Sequence, residues 1–175
     1  MDDVEQFAAA TELAEWGPAE IRALAGGADD PFGTGPLGGT WRPKDRHFGV
    51  RHEGRVVAHA GFVVVPVEVG GQRFEVAGLG GVLVDPALRG RGLARIAVTG
   101  ALNAARADGL DRALLFCFPD RSPLYARLGW HALPEAVTAD QPDGPAPVPL
   151  GAMWKPLSPG VAWPAGPVRL RSLPM

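Results

Sequence analysis

The sequence predicts an α/β domain, helices packed on a mixed β-sheet, and three observations carry that reading. Apolar runs of strand character alternate with stretches of helical period. One strand, Gly81-Val82-Leu83-Val84, ends at Asp85-Pro86 and leads through a glycine-bearing basic loop into a helix. At 175 residues and 46% hydrophobic content, the chain can bury one full core.

Taken in order, residues Val4 to Leu24 are alanine-rich with helical period. Gly17-Pro18 interrupts them, which predicts two helices or one kinked helix. Gly26 to Arg46 is rich in Gly, Pro and Asp, and so long a structureless connection is expected to serve function. His47 to Arg51 and Val56 to Val69 read as strands joined at Glu53-Gly54. Gly70-Gly71 then turns the chain into Arg73 to Val84. The helix from Gly92 to Asp108 sets Leu93, Ile96/Ala97, Gly100/Ala101 and Ala104/Ala105 on one face, small enough to lie close on a sheet. Arg112 to Phe118 reads as a buried strand, Asp120 to Leu128 as a helix closed by Gly129, and Trp130 to Leu133 as a strand start. Pro134 to Pro149 reads as loop and Met153 to Leu157 as a last short strand. No internal repeat is present, and the 24 glycines and 18 prolines gather in the connections.

Composition excludes several classes. Lys+Arg 17 against Asp+Glu 19 gives a formal charge of −2, without the basic excess that nucleic acid requires. No apolar run reaches the roughly 18 residues of a membrane span. Met1-Asp2-Asp3 is acidic where a secretion signal is basic, and the single cysteine cannot form an internal disulfide. Cytoplasmic residence is the expectation.

The strand–loop–helix unit is where chemistry is expected. The first N–H groups of a helix have no intrahelical partner and lie at the positive end of its dipole. Glycines let a phosphate approach that backbone, and Arg89 and Arg91 add charge, so Arg89, Gly90, Arg91, Gly92, Leu93 and Ala94 should bind a pyrophosphate. The dinucleotide fingerprint is absent, since Gly90-Arg91-Gly92-Leu93-Ala94-Arg95 ends in arginine. The lysine-bearing triphosphate loop is absent too.

Arg89-x-x-Gly92-x-Ala94 resembles the [QR]-x-x-G-x-[GA] motif of the GNAT superfamily of acyl-CoA-dependent N-acyltransferases. Leu124-Tyr125-Ala126-Arg127-Leu128-Gly129-Trp130 is similar to that family's L-Y-x-x-x-G-[FW] segment, at the expected distance downstream. The resemblance implies a mixed central sheet flanked by helices, with splayed strands forming an acyl-CoA cleft. It implies one domain over residues 1–175: a helical substrate-side region and loop (1–46), an acyl-CoA-binding core (47–133), and a substrate-side loop with C-terminal strand and tail (134–175). The backbone of Val82, Leu83 and Val84 would pair with pantetheine, and the Val82 N–H would face the oxyanion. Tyr125, the chain's only tyrosine, would protonate the departing thiolate. Acetyl-CoA is the expected donor, with no metal and no acyl-enzyme, and Cys117 reads as a buried structural thiol. The family opens with a strand, for which only Met1 to Val4 is available.

Finer resemblances point to the aminoglycoside 2′-N-acetyltransferases and the nodulation N-acyltransferases. They are carried by Arg55 to Ala60, the Gly70-Gly71 turn, Gly81 to Val84, and Val161 to Gly166. Where the aminoglycoside enzymes have a glutamate before this strand, the chain has Gly80, so the general base is open between Glu75, His59 and water. Acceptor-side candidates are Asp29, Asp30 and Asp140, with Asp143 and the carboxylate of Met175, because charge-assisted bonds orient amines. Phe32 and Trp41, with Trp154 and Trp163, read as pocket walls or as core and interface anchors. The expected partners are acyl-CoA and a small amine, an aminosugar or antibiotic among them, with neither nucleic acid nor membrane. A homodimer is left open. Two other readings stand beside acetyl transfer: a longer-chain acyltransferase fed by a carrier protein, and a noncatalytic acyl-CoA-binding module.

Overall fold

A computed structural model describes residues 7–175. In chain order the described elements are β1 (Thr11–Glu12), α1 (Pro18–Leu24), β2 (Arg46–His52), β3 (Arg55–Val69), β4 (Gln72–Val84), α2 (Leu93–Ala107), β5 (Arg112–Cys117), α3 (Ser122–Arg127), β6 (His131–Ala132), β7 (Thr138–Ala139), β8 (Ala146–Pro147), β9 (Gly151–Pro156) and β10 (Val168–Leu170). All ten strands form one mixed sheet. Its main path runs β6-β9-β5-β4-β3-β10-β7-β8, and β2 joins β3 with β1 beyond it. The expected α/β sheet with flanking helices is what forms.

Local chemistry explains the central hairpins. Glu53 and Gly54 both have positive φ (49° and 79°), as do Gly70 and Gly71 (54° and 86°). Such turns match the twist of antiparallel strands, so β2–β3 and β3–β4 follow directly from the chain. The length of β3 lets it carry two cores. Ala58, Ala60 and Phe62 pack with α2, whose Leu93, Ala97, Ala101 and Ala105 recur one helical turn apart. Val63, Val65, Val67 and Val69 join a second cluster, closed by Val137, Val148, Val168 and Leu170 from the C-terminal third.

Three expectations are corrected. Of the predicted helix over Val4 to Leu24, only Pro18–Leu24 is helical among the described residues; Thr11–Glu12 is a strand on β2. Tertiary contacts override the alanine-rich propensity there. Arg46 grips the Glu12 carboxylate at 2.8 and 2.9 Å, and Leu13 covers the bare backbone of Gly49. The first strand expected at Met1 to Val4 lies outside the described residues. The loop predicted over Pro134 to Pro149 contains the small β7–β8 hairpin, and the strand expected to be the last, Met153 to Leu157, is followed by β10, which enters between β3 and β7, parallel to β7. Two- and three-residue strands hold too few side chains for alternation to register. Among the described residues no helix is long and apolar enough to cross a membrane.

Phe62 is 1% exposed and stacks with Phe48 at 6.1 Å between centroids. Phe62→Ala should cost about 3–5 kcal/mol through lost burial and the cavity left behind. Thermal unfolding should then show a melting temperature lower by on the order of 10 °C.

Candidate active site

The site begins where two strands part. β4 pairs in parallel with β5 only through Ala77–Ala113 and Gly78–Leu114. Beyond that point β4 keeps β3 on one edge, while its other edge, from Leu79 to Val84, has no strand partner among the described residues. A cleft of about 1530 Å³ opens there, lined by Leu79 to Val84 on one side and by Leu115 to Phe118 with Tyr125 on the other. Unpaired backbone N–H and C=O groups in such a cleft are obligatory hydrogen-bonding groups awaiting a partner.

A bulge shapes the open edge. His59 pairs with Leu83 and Gly61 with Gly80, so β4 carries one residue more than β3 between those pairs. Gly81 takes φ +63° at the bulge, a conformation glycine adopts without strain. The bulge is pinned from beneath: His59 Nδ1 lies 2.6 Å from the Gly81 carbonyl oxygen. A carbonyl only accepts, so Nδ1 carries the proton and Nε2 is left as acceptor. Nε2 is met by His47 Nδ1 at 3.1 Å, which therefore donates. Trp16 stacks on the His59 ring at 3.8 Å and 4°. His59 is 1% exposed, and burial pushes its pKa down to about 4. Burial likewise lowers that of His47.

Beyond Val84, Asp85 accepts from the Ala87 N–H at 2.9 Å and pairs with Arg55, which fixes the turn out of the strand. Gly90 and Gly92 both have φ +80°, and a side chain at either would point into open space. Gly92 caps α2, whose first bond runs from Ile96 N–H to Gly92 O at 3.2 Å. The amides of Leu93, Ala94 and Arg95 precede that bond, at the positive end of a 15-residue helix with no acidic residue in its first turn. The arrangement is chemically suited to a pyrophosphate. The open edge of β4 is suited to an amide-bearing arm leading away from it, so the residues present fit acyl-CoA.

Tyr125, on α3, is 9% exposed and sits edge-on to Trp130, with the centroids 6.1 Å apart. Burial pushes its pKa up to about 12, so the phenol keeps its proton throughout the neutral range. Cys117 is buried with Sγ 3.9 Å from the Met153 sulfur, and burial raises its pKa. Those surroundings give no thiolate, as expected of a structural cysteine.

The other sequence-predicted residues divide. Phe32, Trp41 and Asp30 line the cleft. Trp41 is tied to the Gly38 carbonyl, and Asp30 accepts from the Gly35 N–H at 3.0 Å. Asp29 is exposed and does not line the cleft. Asp140 lies elsewhere too, paired with Arg169 at 3.2 Å. Trp154 and Trp163 meet each other, and Trp163 also meets Phe74, away from the cleft. Glu75 faces Pro66 across the hairpin, five residues up β4 from Gly80, or roughly 16 Å at strand rise. It does not line the cleft. His59 is in place, but both ring nitrogens are engaged, so it anchors the bulge and has no lone pair for a substrate proton. Sequence reasoning missed Trp16, His47 and Lys44, all of which line the cleft. Nothing in their local pattern announces it, since β-sheet register brings them together. Among the described residues no group of His, Cys, Asp or Glu is placed to hold a metal.

The sequence pattern of the acetyltransferase (GNAT) family matches residues 11–130. Among solved structures, the GNAT family N-acetyltransferase YhbS of Escherichia coli, in complex with CoA, is 20% identical, with TM-score 0.57 over 93% of this chain and 90% of its own. A Klebsiella pneumoniae protein named as an acyl-CoA N-acyltransferase is 21% identical, with TM-score 0.59 over 89% of this chain and 100% of its own. A GCN5-related N-acetyltransferase from Kribbella flavida is 32% identical over 49% of this chain, which spans 22% of that larger protein, with TM-score 0.46. The first two are likenesses of fold. Among curated proteins no sequence matches.

The buried histidine makes stability depend on pH. Its folded pKa of about 4 lies below the ordinary value of 6.5, so between those values the unfolded chain binds the proton and the folded chain does not. Stability should therefore be full above about pH 6.5 and fall as the pH drops toward 4, by on the order of 2–3 kcal/mol from this residue. Urea unfolding at pH 7 and pH 4.5 measures the loss, and His59→Asn should make it smaller.

Proposed function

Because the chain belongs to the GNAT family of acetyltransferases, we propose that it transfers an acetyl group from acetyl-CoA to the primary amine of a small molecule, by direct attack within a ternary complex. One observation carries the reading: the open, bulged edge of β4 leads straight to a glycine-capped helix N-terminus, and a protonated tyrosine faces the same cleft. Acetyl-CoA, when bound, supplies an activated acyl carbon and a thiolate leaving group.

The chain's own residues divide the remaining work. The amides of Leu93, Ala94 and Arg95, with Arg89, Gly90, Arg91 and Gly92, take the pyrophosphate. The backbone of Val82, Leu83 and Val84 aligns the pantetheine arm. The Val82 N–H, at the bulge that His59 clamps, is aimed as the oxyanion donor; a donor fixed before the reaction needs no reorganisation as charge develops. Tyr125 holds a proton at Oη for the departing sulfur. With His59 engaged and Glu75 distant, the amine loses its proton to water. An aminosugar acceptor, as in the aminoglycoside enzymes, finds in this cleft more cations than carboxylates: Asp30, already engaged, and Asp120 line it, against Arg42, Lys44 and the arginines nearer the loop.

A thermal-shift titration tests the donor first. Acetyl-CoA at about 100 times its Kd should stabilise the protein by roughly 2.7 kcal/mol, several degrees at this size. No shift would favour a carrier-protein donor. Gly92→Glu places a charge and a strained left-handed residue at the cap and should weaken acetyl-CoA binding by at least about tenfold. Unaltered affinity would put the phosphate site elsewhere.

Tyr125→Phe should lower kcat by about 10²-fold, the usual weight of a positioned general acid, with acetyl-CoA affinity little changed. Steady-state kinetics beside the titration separate the two effects. Undiminished turnover would remove Tyr125 as the acid.

A further inference from the structure

Lys44 occupies the place where any side chain at position 80 of β4 would project. The β3–β4 register sets Gly61 opposite Gly80, and paired residues of neighbouring strands project from one face, so two glycines leave a bare strip on the sheet. The lysine stem crosses it. A Cβ at Gly61 would lie 3.1 Å from Lys44 Cβ and Cγ, and a Cβ at Gly80 would lie 2.4 Å from Cε and 2.8 Å from Nζ. The amine thus ends beside β4, one residue before the Gly81 bulge.

Its surroundings leave the charge unmatched. No hydrogen bond or ion pair reaches Nζ among the described residues. The rings nearest in the fold, His47 and His59, are both held neutral by burial. Asp30, which also lines the cleft, is engaged with the Gly35 N–H, and the Arg42 guanidinium bonds the Ser172 hydroxyl at 3.2 Å. Burial lowers the Lys44 amine to about 8, because the half-buried cation is partly stripped of water and has no counter-ion among the described residues. An anion entering the cleft would give that cation the partner it lacks and raise its pKa again.

We propose that Lys44 is the specificity residue of the acceptor site and pairs with the carboxylate of an amino-acid-type acceptor, whose amine is thereby presented beside the Gly81–Val82 bulge. The inference rests on the acetyl-transfer reading given above. A strand advances about 3.3 Å per residue, so the anion bound at Gly80 and the amine reacting at the bulge must belong to neighbouring atoms of one small molecule. An α-amino acid has that spacing. A polycationic amine would set like charge against Lys44. Trp16, Phe32 and Trp41, on the same side of the cleft, offer apolar surface for a side chain.

The test uses matched acceptors: amino acids of aliphatic, aromatic and polar type, each beside the amine left when its carboxylate is removed. With saturating acetyl-CoA and CoA release as the readout, the wild-type protein should favour at least one amino acid over its partner by about tenfold or more in kcat/KM, carried mainly by KM. Lys44→Met should collapse that preference. So should Gly80→Ala, which displaces the amine without removing its charge and meets only the flexible end of a side chain. Equal use of both members of every pair, or a preference that survives both substitutions, would overturn the inference while leaving acetyl transfer intact. An equal loss of kcat on both members in Lys44→Met would also overturn it, because that result makes the lysine a proton carrier. Acetyl transfer to no amine, with no binding of acetyl-CoA, would overturn this inference together with the reading on which it rests.

Discussion

The structure depends on a pairing that stops early. β4 and β5 share two residue pairs and then diverge, so a central strand ends with six residues whose edge toward β5 is unpaired among the described residues. Elsewhere in a fold such a strand would be a liability, because buried N–H and C=O groups are almost always paired. Here the other edge of the strand is fully held by β3, and the bulge within it is clamped at Gly81 by a histidine that is itself held by a second histidine and covered by Trp16. The open edge is therefore rigid as well as unpaired. A rigid donor aimed at a place where charge will develop is worth more than a mobile one, because it pays no reorganisation when the charge appears.

Glycine is the means by which chain is brought near this edge, and it acts in two different ways. At Gly81, Gly90 and Gly92 the backbone needs positive φ, first to make the bulge and then to bend the loop into the cap of α2. At Gly61, Gly78 and Gly80 the backbone is ordinary and the need is for space: Lys44 lies across the first and last, and Met175 lies on Gly78. The first kind builds a strand edge and a helix N-terminus that suit a cofactor arm. The second lets distant segments rest directly on the sheet and makes the floor of the acceptor side.

Much of this was legible in the residues, and the parts that were not share a cause. The β2–β3–β4 hairpins, α2 and the strand–loop–helix unit were readable because turn chemistry, alternation and helical period all agree over those stretches. The position of Tyr125 was readable from its motif. The N-terminal segment was misread as helix because its alanines favour one locally, whereas the Arg46–Glu12 pair and the fit of Leu13 over Gly49 are contacts between residues some 35 apart. His59 was visible as a mid-strand histidine, but its role turned on a carbonyl 22 residues away. Gly80 was noticed as a missing carboxylate. What fills the vacancy depends on register, and register cannot be read from spacing along one chain.

The ionisable groups of the cleft are divided by their access to water. Around the splayed strands burial pushes each group toward its neutral form: Tyr125 up to about 12, Cys117 upward, His59 down to about 4 and Lys44 down to about 8. At the loop and cap the arginines are exposed, where phosphates can be met without being stripped of all their water. Acyl transfer has matching needs. A neutral amine must attack a neutral thioester, and the small charge that develops is best held by fixed dipoles in a dry site. The phosphates carry their charge from the start and are best held at a wet, cationic end. Lys44 is a half-buried cation beside the splayed strands, and a cation taken from water without a counter-ion is costly unless its ligand brings one. The arrangement of charge that suits the cofactor thus also singles out Lys44 as the residue through which the acceptor is chosen.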